Sequence, residues 1–422
     1  MTVLLGAVAD DFTGATDLAS MLARGGMRTV LRLGAPDADE PAPGAEAVVV
    51  ALKSRTAPVE EAVAQSVASW RWAAQAGAEQ CYFKYCSTFD STPHGNIGPV
   101  AEALMAATGA VQTIYCPAFP ENGRTIYQGK LFVFDQLLSE SGMRNHPLTP
   151  MTDADLRRVL GTQLSDGAEV GLVPWATVVR GAGAIREALA ALAASGAAHV
   201  IVDALTDADL AALGQAVADM PLVTAASGLG LGLAASFGAA GRLAGGQPDA
   251  LPQIGGETLL LSGSCSTATN DQVARWRNDG AALMQLDPLA LADGQETADS
   301  VMDWLRGQAG PALIAATQPP DAVEAAQRAL GRNRAAALVE DTLATIAVMA
   351  RGAGTRRFVV AGGETSGAVA KALGAERLAV GPSIAPGVPW CATLGPNPVA
   401  LALKSGNFGG ETFFADALES AP

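Results

Sequence analysis

Short apolar runs alternate with amphipathic segments along the first half of the chain. The apolar runs predict strands, and the segments between them repeat apolar residues at the spacing of a helix. The predicted strands are 3–9, 28–33, 46–52, 81–85, 112–115, 199–203 and 222–224, and the predicted helices are 14–24, 59–76, 97–107, 185–194 and 207–218. Because strands alternate with helices rather than with tight hairpins, the pattern predicts a mostly parallel sheet that is covered on both faces.

A second α/β series follows a segment without periodicity. Residues 241–256 are rich in Gly and Pro and predict an interdomain linker. Beyond it, the predicted strands are 258–262, 282–286, 312–316, 357–361 and 399–403, and the predicted helices are 321–330, 336–350 and 368–373. The sequence therefore predicts two α/β domains, residues 1–240 and 257–422, with mostly parallel sheets and a cleft between them, where small-molecule sites tend to form.

The charge and cysteine content narrow the classes of function. The 422 residues include 27 Lys and Arg against 42 Asp and Glu, a net charge of −15. Such a surface repels a nucleic-acid backbone, so no nucleic-acid partner is expected. Residues 1–11 lack the basic start of a signal peptide, and no apolar run reaches the roughly 18 residues of a membrane span. The five cysteines form no C-x-x-C pair, which predicts reduced thiols in a cytoplasmic protein.

Two adjacent carboxylates follow the first predicted strand. Open α/β sheets bind ligands at the carboxyl ends of their strands, and Asp10 and Asp11 stand at such an end. Side chains of this type coordinate Mg²⁺, hold hydroxyl groups or accept a proton. The structural alternative is that Asp11 or Thr13 only caps the helix that follows.

Lys84 lies near the end of the predicted strand 81–85, and a loop rich in hydroxyl groups follows it. Lys84 precedes Ser87 and Asp90, and a buried lysine is costly unless it is paired. The segment therefore predicts a site for an anion or a polyol. A salt bridge between Lys84 and Asp90 is the structural alternative.

Further cations occupy equivalent positions after other strands. Arg55 follows the third predicted strand, and Asn122 and Arg124 lie in the loop after the fifth. Guanidinium groups suit bidentate binding of a carboxylate. These residues are candidate ligands of an acidic substrate.

Three turns rich in Gly and Ser follow predicted strands of the second domain, at 262–266, 362–367 and 405–410. Glycine lets the backbone approach a ligand closely, and successive N–H groups form a phosphate cradle. The turn 362–367 has the glycine spacing of a P-loop, but Ala368 stands in place of its lysine. Residues 230–235 match a dinucleotide fingerprint in spacing and lack its acidic partner. The three turns together predict a nucleotide site.

These segments together resemble the four-carbon acid sugar kinases, and among them most closely the 3-oxo-tetronate kinases. The resemblance lies in residues 9–17 (ADDFTGATD), 83–100 (FKYCSTFDSTPHGNIGPV), 116–130 (CPAFPENGRTIYQGK), 263–270 (GSCSTATN), 361–367 (AGGETSG) and 405–410 (SGNFGG). It implies an N-terminal domain that binds a sugar acid, a C-terminal domain that binds ATP, and transfer of the γ-phosphoryl group to a terminal 4-hydroxyl. It also implies that the ATP contacts are Ser264, Gly362, Gly363, Glu364, Thr365 and Gly406, to which we add Ser266, Ser366 and Gly367 on chemical grounds.

We expect Mg²⁺ to accompany ATP, because a chain of this charge must neutralise the phosphates. We expect Asp11 or Asp10 to act as the base, and we leave the metal ligands unassigned. The expected substrate residues are Arg55, Lys84, Ser87, Asp90, Asn122 and Arg124, with Lys84 also placed at the transferred group. A threonate or erythronate kinase, an NAD(P)-dependent oxidoreductase and a non-catalytic sugar-acid binding protein remain alternatives, and a monomer and a homo-oligomer both stay open.

Overall fold

The computed structural model describes residues 2–146, 149–245 and 250–422. The chain divides into two compact units, Met1–Asp249 and Ala250–Pro422, called unit 1 and unit 2 below. The division falls inside the predicted linker 241–256, of which residues 246–249 lie outside the described residues. None of the described helices is both long enough and apolar enough to cross a bilayer.

Unit 1 consists of alternating strands and helices with a small additional sheet. Its strands are β1 (Leu5–Ala9), β2 (Thr29–Leu33), β3 (Ala47–Ala51), β4 (Gln80–Lys84), β5 (Thr113–Cys116), β6 (Arg124–Tyr127), β7 (Lys130–Val133), β8 (Gln136–Leu137), β9 (Val170–Val173), β10 (His199–Val202) and β11 (Leu222–Ala225). Its helices are α1 (Phe12–Arg24), α2 (Val59–Gln75), α3 (Ile97–Thr108), α4 (Leu156–Gly161), α5 (Trp175–Val178), α6 (Ala182–Ala194), α7 (Asp207–Ala216) and α8 (Gly228–Ala239).

The main sheet of unit 1 is parallel. Its strands lie in the order β2-β3-β1-β4-β11-β5-β10-β9, while β6, β7 and β8 form a separate antiparallel sheet. The central strands β1 and β3 are buried along their whole length, which explains their continuous apolar sequences. Ala9 pairs in register with both Ala51 and Lys84, so the carboxyl ends of β3, β1 and β4 are level.

Unit 2 repeats the α/β alternation and adds an antiparallel edge. Its strands are β12 (Thr258–Ser262), β13 (Ala282–Gln285), β14 (Ala312–Ala315), β15 (Arg357–Ala361), β16 (Arg377–Ala385), β17 (Val388–Thr393) and β18 (Ala400–Lys404). Its helices are α9 (Thr267–Asn278), α10 (Pro288–Ala292), α11 (Ala298–Arg306), α12 (Pro320–Leu330), α13 (Arg332–Ala353), α14 (Gly363–Ala372) and α15 (Phe413–Glu419).

The sheet of unit 2 places three strand ends side by side. The order is β13-β14-β12-β15-β18-β17-β16, parallel as far as β18 and antiparallel beyond it. Ser262 of β12 is level with Ala361 of β15, which is level with Lys404 of β18. Trp390, Phe413 and other buried apolar residues pack beneath these strands. The loops after β12, β15 and β18 therefore start from one edge.

The fold confirms the predicted α/β class and moves several helix starts towards the N-terminus, two of them next to the predicted site residues. Helix α1 begins at Phe12 with Asp11 as its N-cap, so Thr13 is not the cap. Helix α14 begins at Gly363, so the predicted turn 362–367 is mostly the first turns of a helix. The antiparallel strands β6–β8, β16 and β17 and the helices α8 and α9 were not predicted, because their sequences lack a clean period or are interrupted by Gly and Pro.

Glycines at 230–235 serve helix packing rather than a dinucleotide. In α8, a Cβ on Gly232 would lie 2.5 Å from the carbonyl oxygen of Leu210 in α7, and a Cβ on Gly214 of α7 would lie 2.4 Å from the carbonyl carbon of Gly232. The backbones of the two helices are thus in direct contact. Only glycine permits this approach.

This packing predicts opposite effects for two glycines of α8. We expect Gly232→Ala to lower the free energy of unfolding by about 1–3 kcal/mol, because its methyl group overpacks against α7. Gly238→Ala is the matched control, since the nearest atom to its Cβ is a Leu243 side-chain carbon at 3.6 Å. It should raise stability by about 0.5–1 kcal/mol through helix propensity. Urea unfolding measures both; equal effects would contradict the packing account.

Candidate functional site

Arg55 lies at the centre of a charged cluster in unit 1. Its Nε and Nη2 donate to the two carboxylate oxygens of Asp10, each at 2.9 Å. Nη2 is also 2.7 Å from Asp11 Oδ1, and Nη1 is 3.6 Å from Asp90 Oδ2. One guanidinium therefore contacts three carboxylates, from the end of β1 and from the loop after β4.

The electrostatics of this cluster distinguish the two adjacent carboxylates. Burial raises the pKa of Asp10, and Arg55 opposes the rise. Burial alone would lower the pKa of Arg55, but Asp10 and Asp11 hold that pKa well above its usual value, so Arg55 stays charged. The Asp10 side chain is 6% exposed, and that of Asp11 is 30% exposed. Asp11 is thus the carboxylate that a ligand can reach.

Asp11 also determines where α1 starts. Its Oδ1 accepts a hydrogen bond of 3.0 Å from the N–H of Gly14, so the capping role considered from the sequence is real. The contacts found for Asp11 in the described residues involve Oδ1. The cap therefore leaves Oδ2 to face a ligand.

Lys84 is buried beside the same helix start. It is 2% exposed, and its Nζ donates to the carbonyl of Tyr85 at 2.8 Å. A Cβ on Gly14 would lie 2.6 Å from this Nζ, so the ammonium lies directly against the start of α1. Burial raises the pKa of Asp17, one turn along α1, to about 6, although the charge of Lys84 opposes this rise.

The predicted alternative of a Lys84–Asp90 salt bridge is wrong. Asp90 instead faces Arg55 and accepts a hydrogen bond of 2.6 Å from Thr88 Oγ1. Phe89, between them, is buried and has a φ of 51°, a left-handed conformation that a bulky residue rarely adopts. The loop thus accepts backbone strain to direct Asp90 at Arg55.

Asn96 holds the loop that carries Arg55, and sequence reasoning missed it. Its Nδ2 donates to the carbonyls of Ser54 at 2.7 Å and Ala57 at 2.9 Å. Asn96 lies inside the segment 83–100 that carries the family resemblance, but nothing in the sequence indicates which loop its side chain reaches.

For three other predicted substrate residues, the described contacts do not include Arg55. Ser87 is half-buried, and Asn122 ends a short 3₁₀ turn. Arg124 donates to the carbonyl of Asn122 and lies 5.7 Å from the centre of the Phe134 ring, while its buried Nε has no hydrogen-bond partner among the described residues. Among the described residues, no contact joins Asn122 or Arg124 to Arg55. Their role as substrate ligands stays a prediction.

Unit 2 brings the three glycine-containing loops together. A Cβ on Gly263 would lie 2.1 Å from Thr365 Oγ1, and one on Gly406 would lie 2.5 Å from Ser264 Oγ. Gly362 has a φ of 126°, which side chains rarely tolerate. We call Gly263, Gly362 and Gly406 the glycine corner. At each of the three positions a side chain would clash or strain the backbone.

Two helices begin at the glycine corner. Helix α9 is capped by Ser266, whose Oγ accepts from the N–H of Thr269. The first intrahelical bond of α14 runs from the N–H of Ser366 to the carbonyl of Gly362. The N–H groups before it project from the helix end, where the helix dipole favours an anion.

A cavity of about 360 Å³ opens beside the glycine corner. Its lining includes Gly263, Ser264 and the segment from Gly362 to Thr365; all but Gly263 are among the expected ATP contacts, a role that stays a prediction. The lining contributed by α12 and α13 is mainly apolar: Val323, Ala326, Ala335, Ala336 and Val339. Polar side chains at its rim are Gln318, Gln327, Arg332 and Glu340. The sequence did not indicate the α12 and α13 residues, because their spacing predicts a buried helix face but not a ligand.

Four predicted ATP contacts do not line this cavity. Ser366 is buried and donates to the carbonyl of Val360 at 3.2 Å, and Gly367 lies within α14. Ser266 and Gly406 adjoin Ser264 without lining the cavity, and Ser266 Oγ donates to the Gly406 carbonyl at 2.7 Å. Ser366 and Gly367 therefore act in the helix rather than at its exposed end.

The described residues contain no group of three or more His, Cys, Asp and Glu side chains arranged to hold a metal ion. The metal ligands thus remain unassigned.

The Arg55 cluster predicts a pH-dependent loss of stability. We expect Arg55→Met to lower the free energy of unfolding by about 3–5 kcal/mol at pH 7.5, because it leaves Asp10 buried without its partner. The pKa of Asp10 in the folded state then rises further above its unfolded value, so the deficit grows as pH rises and shrinks towards pH 5. Urea unfolding at both pH values measures it.

Arg24→Met is the control for this prediction. Arg24 pairs with Glu121 at 3.1 Å, with side chains 40% and 33% exposed, and should lose at most about 1 kcal/mol. A similar small loss in Arg55→Met, without pH dependence, would contradict the account.

Comparison with known proteins extends these findings over the whole chain. Residues 5–233 match a model described as a sugar-binding N-terminal domain, and residues 259–414 match one described as a nucleotide-binding C-terminal domain. A 3-oxo-tetronate kinase of Cupriavidus necator is 56% identical over 98% of this chain and 96% of its own. A 3-oxo-tetronate kinase of Pseudomonas fluorescens is 55% identical over the same shares of the two chains.

A solved structure agrees in fold. A protein of Salmonella typhimurium LT2 that is called a putative tRNA synthase has a TM-score of 0.88 and 43% identity over 98% of both chains. The two family models match in the order sugar-binding and then nucleotide-binding domain. The chain therefore belongs to the 3-oxo-tetronate kinase family, in which a sugar-binding N-terminal domain precedes a nucleotide-binding C-terminal domain.

Proposed function

We propose that this chain is an ATP-dependent kinase that transfers the γ-phosphoryl group to the terminal 4-hydroxyl of a 3-oxo-tetronate. The main support for this proposal is the cavity of unit 2. It lies between the glycine corner at the start of α14 and the apolar residues of α12 and α13. That combination fits a nucleoside triphosphate. The relatives named 3-oxo-tetronate kinase supply the class of acceptor.

The walls of the cavity fit the two chemically distinct parts of ATP. The apolar faces of α12 and α13 suit the adenine base, and the glycine corner with the start of α14 suits the phosphates. Mg²⁺ bound with ATP would neutralise charge on the phosphates. Glu364 lies at the start of α14, where its carboxylate could meet such an ion but would repel a bare phosphate.

Unit 1 would hold the sugar acid at the level ends of β3, β1 and β4. Arg55 is anchored on Asp10 and offsets part of the charge of three carboxylates, so an acidic substrate would also need the positive charge of Lys84. Asp11 fits the role of base better than Asp10, because its side chain is more exposed and Asp10 is held by two hydrogen bonds from Arg55. Asp11 would orient the 4-hydroxyl and accept its proton, and Asp90 would bind another hydroxyl.

Lys84 and Arg124 complete the expected set of cations. Lys84 already donates to the carbonyl of Tyr85, and an ammonium has two further donors to offer to the carboxylate or to the transferred group. The Nε of Arg124, for which the described part of the chain offers no acceptor, is a donor that a ligand could satisfy. Phosphoryl transfer then depends chiefly on in-line positioning and charge neutralisation.

Other classes of function are less well supported. A dinucleotide needs a glycine turn after its first strand, where this chain has two carboxylates, and the glycines of 230–235 pack α8 on α7. A tRNA partner needs a basic surface, whereas the net charge here is −15. A threonate or erythronate kinase would use the same site, so the substrate must be decided by assay. We place the reaction in the cytoplasm, where ATP is available.

An ADP-release assay tests the reaction and its substrate together. We expect ADP formation with ATP, Mg²⁺ and a 3-oxo-tetronate, slower formation with threonate or erythronate, and none without an acid. Mass spectrometry should find a product heavier by one phosphoryl group. ATP-independent binding of the acid without product would favour the binding-protein alternative.

Substitution at Asp11 tests the assignment of the base. We expect Asp11→Asn to lower kcat by about a hundredfold or more, because an amide cannot accept the proton. The variant should fold normally, since Asn caps helices as well as Asp. Asp37→Asn, an exposed carboxylate of unit 1, should keep the normal kcat. Normal turnover by Asp11→Asn would remove Asp11 from this role.

A further inference from the structure

Unit 2 contains a buried lysine at the end of a central strand. Lys404 is the last residue of β18 and is 0% exposed. Its Nζ donates to Thr269 Oγ1 at 3.0 Å, to the carbonyl of Ser405 at 3.1 Å and to the carbonyl of Gly406 at 3.0 Å. All three ammonium donors are thus used, and none of these acceptors is a carboxylate.

Such an arrangement is unfavourable unless something compensates it. Burial lowers the pKa of Lys404 to about 8, and the described residues provide no ion pair for it. The ring of Phe413, whose centre is 5.6 Å from Nζ, adds a weak favourable contact. A buried cation without a counter-ion is a candidate for compensation by a bound anion.

The contacts of Lys404 also fix the orientation of the loop that follows. In a trans peptide the C=O and the next N–H point in opposite directions. Because the ammonium draws the carbonyls of Ser405 and Gly406 towards the interior, the N–H groups of Gly406 and Asn407 are directed away from it. Over the described part of the chain, neither N–H has a protein acceptor.

The carbonyl of Gly406 accepts hydrogen bonds from two further donors. Ser266 Oγ and Thr269 Oγ1 each lie 2.7 Å from the oxygen of Gly406. Gly406 in turn packs against Ser264, close enough that a Cβ on Gly406 would be 2.5 Å from Ser264 Oγ. Lys404 is therefore linked through this loop to the wall of the cavity that contains Ser264.

We infer that Lys404 is a positioning residue for the phosphates of ATP. It orients the two peptide groups on either side of Gly406 so that the N–H groups of Gly406 and Asn407 meet a phosphate oxygen. It also places a positive charge behind these N–H groups. The inference rests on the proposed function, since it takes the glycine corner to bind phosphate. Lys404 does not itself touch the ligand. Two successive N–H groups with a cation behind them form an anion-binding nest.

Calorimetric titration with two ligands tests this role. ADP carries phosphates, and adenosine has only the base and ribose. We expect Lys404→Met to weaken MgADP binding by about 10- to 100-fold, the effect of losing hydrogen bonds to a charged group, and to change adenosine binding less than twofold. Thr269→Val, which removes one acceptor of the ammonium and one donor to Gly406, should show a smaller loss of the same kind.

Controls separate this role from a structural one. Lys371→Met removes an exposed lysine of the same unit and should bind both ligands normally. Thr269→Ser keeps the hydroxyl and should restore MgADP binding. If Lys404→Met does not fold, the Thr269 pair still decides the question.

Three other results would contradict the proposed role of Lys404. Normal MgADP binding by Lys404→Met or by Thr269→Val would overturn the inference. An equal loss of MgADP and adenosine would also overturn it, because it would indicate general damage to the cavity. If the unaltered protein bound adenosine but not MgADP, the proposed function would fail together with this inference.

Discussion

An acidic protein that binds anions needs its few cations close to the sites where the anions bind. In this chain of net charge −15, two buried lysines occupy the last residue of a strand, Lys84 in β4 and Lys404 in β18. Each Nζ donates to the carbonyl of the next residue, Tyr85 in unit 1 and Ser405 in unit 2. Burying an ammonium is unfavourable, so each lysine constrains the loop after it. The candidate sites of both units are built on these strand ends.

The two units solve the problem of charge in different ways. In unit 1, Arg55 draws together carboxylates that would otherwise repel, and leaves Asp11 exposed to act on a hydroxyl. In unit 2, the groups available to an anion are mainly backbone N–H groups and helix starts. Glycine is required there because Cβ atoms would fill the glycine corner. The first arrangement suits proton transfer. The second suits a polyphosphate whose charge is spread over many oxygens.

The sequence predicted the parts of the site that depend on local chemistry. Strand ends marked by Asp10, Lys84 and Gly362 were identifiable because apolar runs stop there and polar or glycine residues follow. Contacts between distant segments were not, so the support of the Arg55 loop by Asn96 appears only in the structure. The start of α14 was misplaced because Gly363 and Gly367 disfavour a helix locally, and packing overrides that preference. The apolar wall of the cavity looked like an ordinary helix face.

In the proposed reaction, the nucleotide and the sugar acid bind to separate, chemically specialised units. A crystal structure of the complex with MgADP and the sugar acid would test this separation. The account predicts the diphosphate at the glycine corner, the base against α12 and α13, and the terminal hydroxyl of the acid within hydrogen-bond distance of Asp11. Nucleotide bound at the Arg55 cluster, or an acid bound away from the ends of β1, β3 and β4, would contradict it.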